Sequence, residues 1–225
     1  MRIWENFPAV AERIKSGHQK AELFGHHDYV HAFRVGEVAR QIALEEWGDQ
    51  QLSYLAGLAG LAHNADRILQ KLKSSNQTVE ELVRFWLHDV MMDETSRATV
   101  VEAVLKHSNK NSPDDSKVLV ALMDGDRVVN LDTDLFIRSG QYYANLPVVD
   151  YQNFLDDPKA TYRDPRSVMR DIRYSLDWVD STSSVCVRTK KGSEMANTRA
   201  KVFSTFFDAL RGQLAEEGIA VPFGQ

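Results

Sequence analysis

The chain has 225 residues, 43% of them hydrophobic, and its 27 Lys and Arg against 32 Asp and Glu give a formal net charge of −5. This negative charge disfavours nucleic acid as a partner, because binding to a phosphate backbone depends on clustered basic residues. The single cysteine, Cys186, cannot form an internal disulfide. No apolar run reaches the roughly 20 residues of a membrane-spanning helix and no secretory signal is recognisable, so we expect one cytoplasmic domain over residues 1–225 without a membrane partner.

Helical periodicity dominates the first two thirds of the chain, and few runs alternate as strands do, so the expected class is all-α. A first helix is predicted over about residues 4–15, ending near Gly17. The segment HDYVHAFRVGEVARQIALEEW predicts a long core helix that ends at Gly48. Residues 51–72 continue the apolar pattern, and the Ala and Gly between their leucines would let neighbouring helices approach closely.

Capping residues predict where the following helices begin. Thr78 and Glu81 have the spacing of a capping box ahead of LVRFWLHDV. Thr95 or Ser96 can start the next helix, and Pro113 is expected to open the one after it.

The pattern changes near residue 131, where a turn-rich, aromatic segment predicts an irregular excursion that could act as a lid. Helix resumes at about 166–180 and again at 194–217, where Ser193 can cap the start and Gly218 the end. The predicted domain therefore has three parts: a core over about 20–130, the excursion over about 131–165, and C-terminal helices over about 166–217.

Imidazoles and carboxylates occur in four segments where the helical pattern predicts an interior: HHDYVHAFRV, LAHNADR, AVLKHSNK and LMDGDRVV. Together with TKKGSEMANTR near the C-terminus, this ordered set resembles the HD superfamily of metal-dependent phosphohydrolases. In that superfamily a His, a His-Asp pair and a distant Asp hold a divalent metal within a helical bundle. The resemblance covers about residues 20–210 and implies an HD-domain helical bundle with a C-terminal helical extension.

The resemblance implies four metal ligands: His31, His63, the residue at position 64 and Asp126. Imidazole and carboxylate ligands together suit Mn, Fe, Co, Ni, Mg or Zn. Asn64, however, occupies the position of the Asp that gives the superfamily its name. An amide oxygen binds a cation less strongly than a carboxylate does, so we expect weaker metal binding or impaired chemistry. Asp66 offers a substitute carboxylate, through a water molecule or a small shift of the helix.

Basic side chains near the expected ligands could offset the charge of a substrate phosphate, and ion pairs with neighbouring carboxylates are the alternative for each. The set consists of Arg34, Arg67, His107, Arg127, Lys190 and Arg199.

Other polar residues have two interpretations. His27 could be a ligand or an acid near the leaving group, or equally a capping or surface residue. Asp124 is expected to support its neighbours rather than to bind metal. The literal pair His88-Asp89 is out of order with the other motifs and is interpreted as structural.

The resemblance implies hydrolysis of a small phosphorylated substrate through a metal-bound hydroxide, with a nucleotide as the preferred candidate. The alternative is a degenerate HD-fold protein that binds a nucleotide or a partner without hydrolysis, because Asn64 weakens the metal site. A third hypothesis is a helical interaction module whose histidines are fortuitous. The sequence leaves the oligomeric state open.

Overall fold

The computed structural model describes residues 1–73 and 76–219. Residues 74–75 and 220–225, which the predicted domain included, lie outside this range. Over the described residues the regular structure consists of α-helices and two 3₁₀ turns, Gly25–His27 and Ser175–Trp178, with no strand, and the all-α prediction is confirmed. The α-helices are α1 Ile3–Asn6, α2 Pro8–Lys20, α3 Tyr29–Trp47, α4 Gln50–Ala62, α5 Ala65–Leu72, α6 Val79–Trp86, α7 Glu94–Lys106, α8 Lys117–Val129, α9 Leu135–Tyr142, α10 Val168–Tyr174 and α11 Lys190–Glu216.

Three central helices, α3, α4 and α8, pack so closely that only small residues fit between them. A Cβ atom on Gly60 of α4 would lie 2.6 Å from the Cα of Gly36 on α3. A Cβ atom on Gly125 of α8 would lie 2.9 Å from the backbone nitrogen of Ala39 on α3. The close approach expected from the Ala and Gly between the leucines is therefore present, and it brings together the helices that carry the predicted ligands.

Helix α3 ends at Gly48 as predicted, but it begins at Tyr29, two residues inside the predicted segment. Its start is fixed by the Asp28 side chain, which accepts a hydrogen bond from the backbone N–H of His31 at 2.7 Å. It ends where Gly48 adopts a left-handed conformation with φ of 66°, as the glycine predicted. The capping box of Thr78 and Glu81 is also present at the start of α6.

The first predicted helix is wrong in its boundaries. It is two helices, α1 and α2, which meet at Phe7, and Gly17 lies inside α2 instead of ending it. A Cβ atom on Gly17 would lie 3.4 Å from side-chain atoms of both Ile68 and Trp86, so this glycine makes room for packing. The prediction over residues 51–72 also requires correction, because the chain leaves the helix between α4 and α5, at His63 and Asn64.

Three later helices begin at residues other than those predicted. Helix α7 follows Asp93, not Thr95 or Ser96, because the Asp93 carboxylate accepts from the backbone N–H of Ser96 at 2.7 Å. Helix α8 begins after Ser116, beyond Pro113. Helix α11 begins after Thr189, whose hydroxyl accepts from the backbone N–H of Gly192 at 3.1 Å. In each case a polar side chain just before the helix accepts a hydrogen bond from its first turn.

The predicted irregular segment contains one α-helix, α9, and the following turns cover a second apolar cluster. Phe203 and Phe207 of α11 are buried in that cluster, whereas Val202 is 45% and Phe206 36% exposed, so only one face of α11 is interior. The cluster consists of Leu135, Phe154, Leu155, Val168, Met169, Ile172, Phe203, Phe207 and Leu214. None of the helices described has the length and apolar character that crossing a bilayer requires.

Candidate metal centre

Three side chains from three central elements converge on one point. The Nε2 atom of His31, on α3, lies 3.1 Å from an Oδ1 atom of Asp126, on α8. The Nε2 atom of His63, which directly follows α4, lies 3.9 Å from the same oxygen. The candidate ligand atoms all lie within 4.8 Å of one another, which is close enough for one ion to contact all three. Among the His, Cys, Asp and Glu side chains of residues 1–73 and 76–219, this is the one such group of three.

His63 is held in the form that a metal ligand needs. Its Nδ1 atom lies 2.7 Å from the carbonyl oxygen of Gly60, and because a carbonyl only accepts, Nδ1 carries the proton. The lone pair of Nε2 is therefore directed to the side of Asp126. Burial lowers the pKa of His63 from 6.5 to about 3, so the ring is neutral at physiological pH. Burial also lowers the pKa of His31, and its hydrogen bond with Asp126 opposes that shift.

Asp126 is present as a carboxylate. Burial by itself would raise the pKa of Asp126, but the hydrogen bond with His31 and the neighbouring His63 imidazole outweigh it and hold the pKa below its ordinary value. The side-chain amide of Asn130 donates to the same Oδ1 atom at 3.0 Å and helps to orient it. No motif indicated Asn130, although its position four residues after Asp126 on one helix is the signal that could have identified it.

Asn64 is buried, with 2% of its surface exposed, and its amide nitrogen has no hydrogen-bond partner. It immediately precedes α5, yet its side chain does not cap that helix. Buried polar groups are nearly always paired, so this amide needs a partner that the described residues do not provide. Asp66 is not brought into the ligand group, because its side chain is 44% exposed and lies 3.6 Å from Arg67.

The donor set fits a divalent transition metal. Two neutral imidazole nitrogens and one carboxylate oxygen suit Mn²⁺, Fe²⁺ or Zn²⁺, and three protein ligands leave coordination positions for water or substrate. The unpartnered amide nitrogen of Asn64 is a donor, so its partner would be an acceptor such as water or a substrate oxygen, and only the amide oxygen could bind the ion.

Of the six predicted phosphate-binding residues, His107 packs against a ring of the ligand group and Arg67 follows Asn64 by three residues. The ring of His107 is 5.5 Å from that of His63, and its Nδ1 atom lies 2.7 Å from the carbonyl oxygen of Val104. Arg67 lies in the first turn of α5 with 44% of its side chain exposed and pairs with Asp66.

The other four have protein partners or lie at the surface. Arg34 forms ion pairs with Asp132 and Asp134. Lys190 is exposed at the start of α11. Arg199 donates to the carbonyl oxygen of Val128 at 2.7 Å and also pairs with Asp132.

Arg127 is buried and donates to the side chain of Asn111 at 2.8 Å and to the carbonyl oxygen of Cys186 at 2.9 Å. Asp124 has no exposed surface and accepts from the backbone N–H groups of Arg188 and Thr189, which ties α8 to the start of α11. Neither side chain is part of the ligand group.

The adjacent residues His88 and Asp89 are exposed at the surface and do not belong to the ligand group. The ring of His88 contacts the carbonyl oxygen of its neighbour Phe85, and the carboxylate of Asp89 pairs with Arg13.

Two aromatic side chains complete the surroundings. Burial holds the pKa of His27 well below its ordinary value, and nearby His31 and Arg67 add to the effect. Tyr162 comes from the segment that the sequence showed only as irregular, and it lies close enough to Asp126 for the carboxylate charge to act on its hydroxyl, although 62% of its surface is exposed. No spacing or motif indicated Tyr162, because its approach to Asp126 depends on how the segment folds back.

Known proteins resemble this chain in fold but not detectably in sequence family. No protein-family model and no curated protein matches the sequence. A crystal structure of a protein from Lactobacillus plantarum is similar to this chain with a TM-score of 0.67 and 15% identity, over 93% of this chain and 96% of the other. A crystal structure of an HD-superfamily hydrolase from Bacillus thuringiensis is similar with a TM-score of 0.64 and 18% identity, over 95% of this chain and 98% of the other. The HD-type fold predicted from the motifs is confirmed.

Proposed function

We propose that this protein is a metal-dependent phosphohydrolase that acts on a small phosphorylated molecule, with a nucleotide as the preferred substrate class. One observation carries the proposal: the candidate ligand atoms of His31 on α3, His63 just after α4 and Asp126 on α8 lie within 4.8 Å of one another. The similarity in fold to an HD-superfamily hydrolase supports it.

In this proposal His31, His63 and Asp126 hold the ion, and the amide oxygen of Asn64 is the fourth protein ligand. The bound metal would supply Lewis acidity and make water a better nucleophile towards phosphorus. Gly60 fixes the orientation of the His63 ring through its carbonyl oxygen, and Asn130 fixes that of the Asp126 carboxylate. Such groups keep ligands in place before the metal arrives.

The charge of the site favours an anionic substrate. Neutral imidazoles and one carboxylate give the protein ligands a net charge of about −1, so a divalent ion leaves the centre positive. An Asp at position 64 would cancel that remaining charge. In our proposal Arg67, which is partly exposed at the start of α5, adds donors for the phosphate oxygens. His107 lies beside His63 with its Nδ1 on the carbonyl oxygen of Val104, so its Nε2 atom donates to a phosphate only in the imidazolium form.

The second candidate is a protein with the same pocket that binds a nucleotide or partner without hydrolysing it. The observation that favours it is Asn64, because an amide oxygen replaces a charged ligand at a buried position.

Metal content and turnover distinguish the two candidates. The protein is stripped with chelator, reloaded with Mn²⁺, Co²⁺ or Ni²⁺, analysed for bound metal, and screened with nucleoside phosphates and p-nitrophenyl phosphate. Hydrolysis requires about one metal per chain and should be lost in His63→Ala but kept in the surface control His88→Ala. Binding of nucleotide without metal uptake or turnover would favour the second candidate. Turnover that survives His63→Ala would contradict the proposed centre.

A further inference from the structure

A cavity of about 480 Å³ opens beside the metal centre, between the 3₁₀ turn Gly25–His27, the C-terminal end of α9 and residues 163–165. His27 lines this cavity and ends the 3₁₀ turn that leads through Asp28 into α3, where the Asp28 side chain accepts a hydrogen bond from the backbone N–H of His31. The same turn therefore borders both the cavity and the helix end that carries His31. The Nδ1 atom of His27 is buried and has no hydrogen-bond partner.

Aromatic rings line the cavity on one side. The ring of Tyr142 lies 5.7 Å from that of His27 and nearly perpendicular to it, at 83°. Tyr142 is 49% exposed, and the ring of Tyr143 packs edge-on against it at 4.8 Å. Tyr142 is thus supported by its neighbours while part of its surface remains available to a flat ligand.

Two side-chain amides also line the cavity, those of Gln141 and Asn145. Both residues are exposed, and neither makes a side-chain hydrogen bond to another residue in the described ranges, 1–73 and 76–219. An amide offers both a donor and an acceptor, as does the edge of a nucleobase, so the two groups match in hydrogen-bonding character.

The charges of the lining are balanced. Lys71 and Arg163 contribute two positive charges, and Glu22 and Asp164 contribute two negative charges. A chain of phosphates would require a surplus of positive charge, so this cavity favours an uncharged group. The metal centre, which would be positive with a divalent ion bound, suits the phosphates better.

From these features we infer that the cavity beside His27 binds the nucleobase of a nucleotide whose phosphates lie at the metal centre, with the base against Tyr142 and its edge towards Gln141 and Asn145. This inference rests on the proposed function for the position of the phosphates. The inferred base site consists of residues other than the metal ligands, and it would explain a preference for nucleotides over other phosphorylated molecules.

The first test compares two substrates in the metal-loaded enzyme. Tyr142→Ala should lower the ratio of kcat/KM for a nucleoside triphosphate to kcat/KM for p-nitrophenyl phosphate by about tenfold, since stacking of a base on an aromatic ring contributes about 5- to 150-fold. Tyr151→Ala is the matched control, because Tyr151 is 55% exposed and does not line the cavity. A ratio that changes equally in both variants, or in neither, would overturn the inference.

The second test measures binding of the base without metal, so its outcome does not depend on whether the protein hydrolyses phosphates. Adenosine, guanosine, cytidine and uridine are titrated separately, without metal, into the wild-type protein, Tyr142→Ala and Tyr151→Ala, and followed by NMR. Saturable shifts for at least one nucleoside that persist in Tyr151→Ala and are lost in Tyr142→Ala support a base site even if no hydrolysis is found. If no nucleoside binds to the wild type, the base site is wrong, whatever the metal centre does. Circular dichroism checks that each variant is folded.

Discussion

The Nε2 atom of His31 and the Oδ1 atom of Asp126 lie 3.1 Å apart although 95 residues separate them in the chain. The contact joins the first turn of α3 to the last turn of α8, and His63 approaches the same oxygen from the end of α4. The centre is thus built where three packed helices meet, and each of the following predictions perturbs one physical contribution to it.

Replacing the shared carboxylate should remove metal binding. Asp126→Asn keeps the shape of the side chain but removes its charge. We expect the affinity for Mn²⁺ to fall by more than about 100-fold. Loss of a group that only orients a metal ligand already lowers the affinity by about 10- to 100-fold, and Asp126 is itself the proposed ligand. Isothermal titration calorimetry measures the change. Asp89→Asn is the control, since that carboxylate lies at the surface and pairs with Arg13. Equal affinities in the two variants would show that Asp126 is not a ligand.

Restoring a carboxylate at position 64 should strengthen metal binding. Asn64→Asp should increase the affinity for Mn²⁺ by about tenfold, or about 1.4 kcal/mol, because a buried carboxylate attracts the ion more strongly than an amide does.

The same variant should melt at a lower temperature without metal, since two carboxylates would then face each other with no ion between them. Thermal unfolding with and without Mn²⁺ measures both effects, and Asn109→Asp at an exposed position is the control. A change in neither affinity nor melting temperature would place position 64 outside the centre.

The buried imidazoles should make the metal-free protein sensitive to acid. The pKa of His63 is lowered from 6.5 to about 3, so between these values the unfolded chain binds a proton that the folded chain does not. The free energy of unfolding therefore falls as pH falls through this window, by up to about 1.4 kcal/mol per pH unit for each such histidine. His31, whose pKa is also lowered, contributes in the same direction.

Urea unfolding at pH 4 to 7 in the presence of chelator measures this dependence. His63→Gln should make the pH dependence shallower, because glutamine does not titrate, whereas His88→Gln at the surface should leave it unchanged. A steeper or unaltered slope in His63→Gln would contradict the neutral, buried state of the ring.

Enlarging a central glycine should separate the helices that carry the centre. In Gly60→Ala the new Cβ would lie 2.6 Å from the Cα of Gly36, so the backbones must move apart, with a loss of about 1–3 kcal/mol in the free energy of unfolding. Metal affinity should fall as well, because the carbonyl oxygen of Gly60 orients His63.

Gly212→Ala is the matched control for that substitution. It changes a glycine inside α11 with nothing within 4 Å of the new atom, and should stabilise the protein by about 0.5–1 kcal/mol. Chemical denaturation compares the two variants, and similar effects would show that α3 and α4 do not depend on this close approach.

The sequence by itself determined the helical class, the long helix that ends at Gly48 and the identity of three side chains in the ligand group. Local rules suffice for these features, because periodicity, capping and a left-handed glycine depend on neighbours along the chain. His31, His63 and Asp126 could be named because the order of their motifs resembles the HD superfamily, and imidazoles with a carboxylate are residue types that bind divalent metals.

Only the tertiary structure decided what surrounds the centre. Asp28 and Asn130 support the ligands through contacts with residues three or four positions away in the chain. By contrast, Arg34 pairs with Asp132, and Arg127 is buried against Cys186. Both of these contacts depend on segments that are distant in the chain. A guanidinium group pairs with whichever carboxylate or carbonyl the fold places nearest, and spacing along one helix does not specify that partner. The cavity beside His27 likewise exists only because the end of α9 and residues 163–165 fold against the 3₁₀ turn before α3.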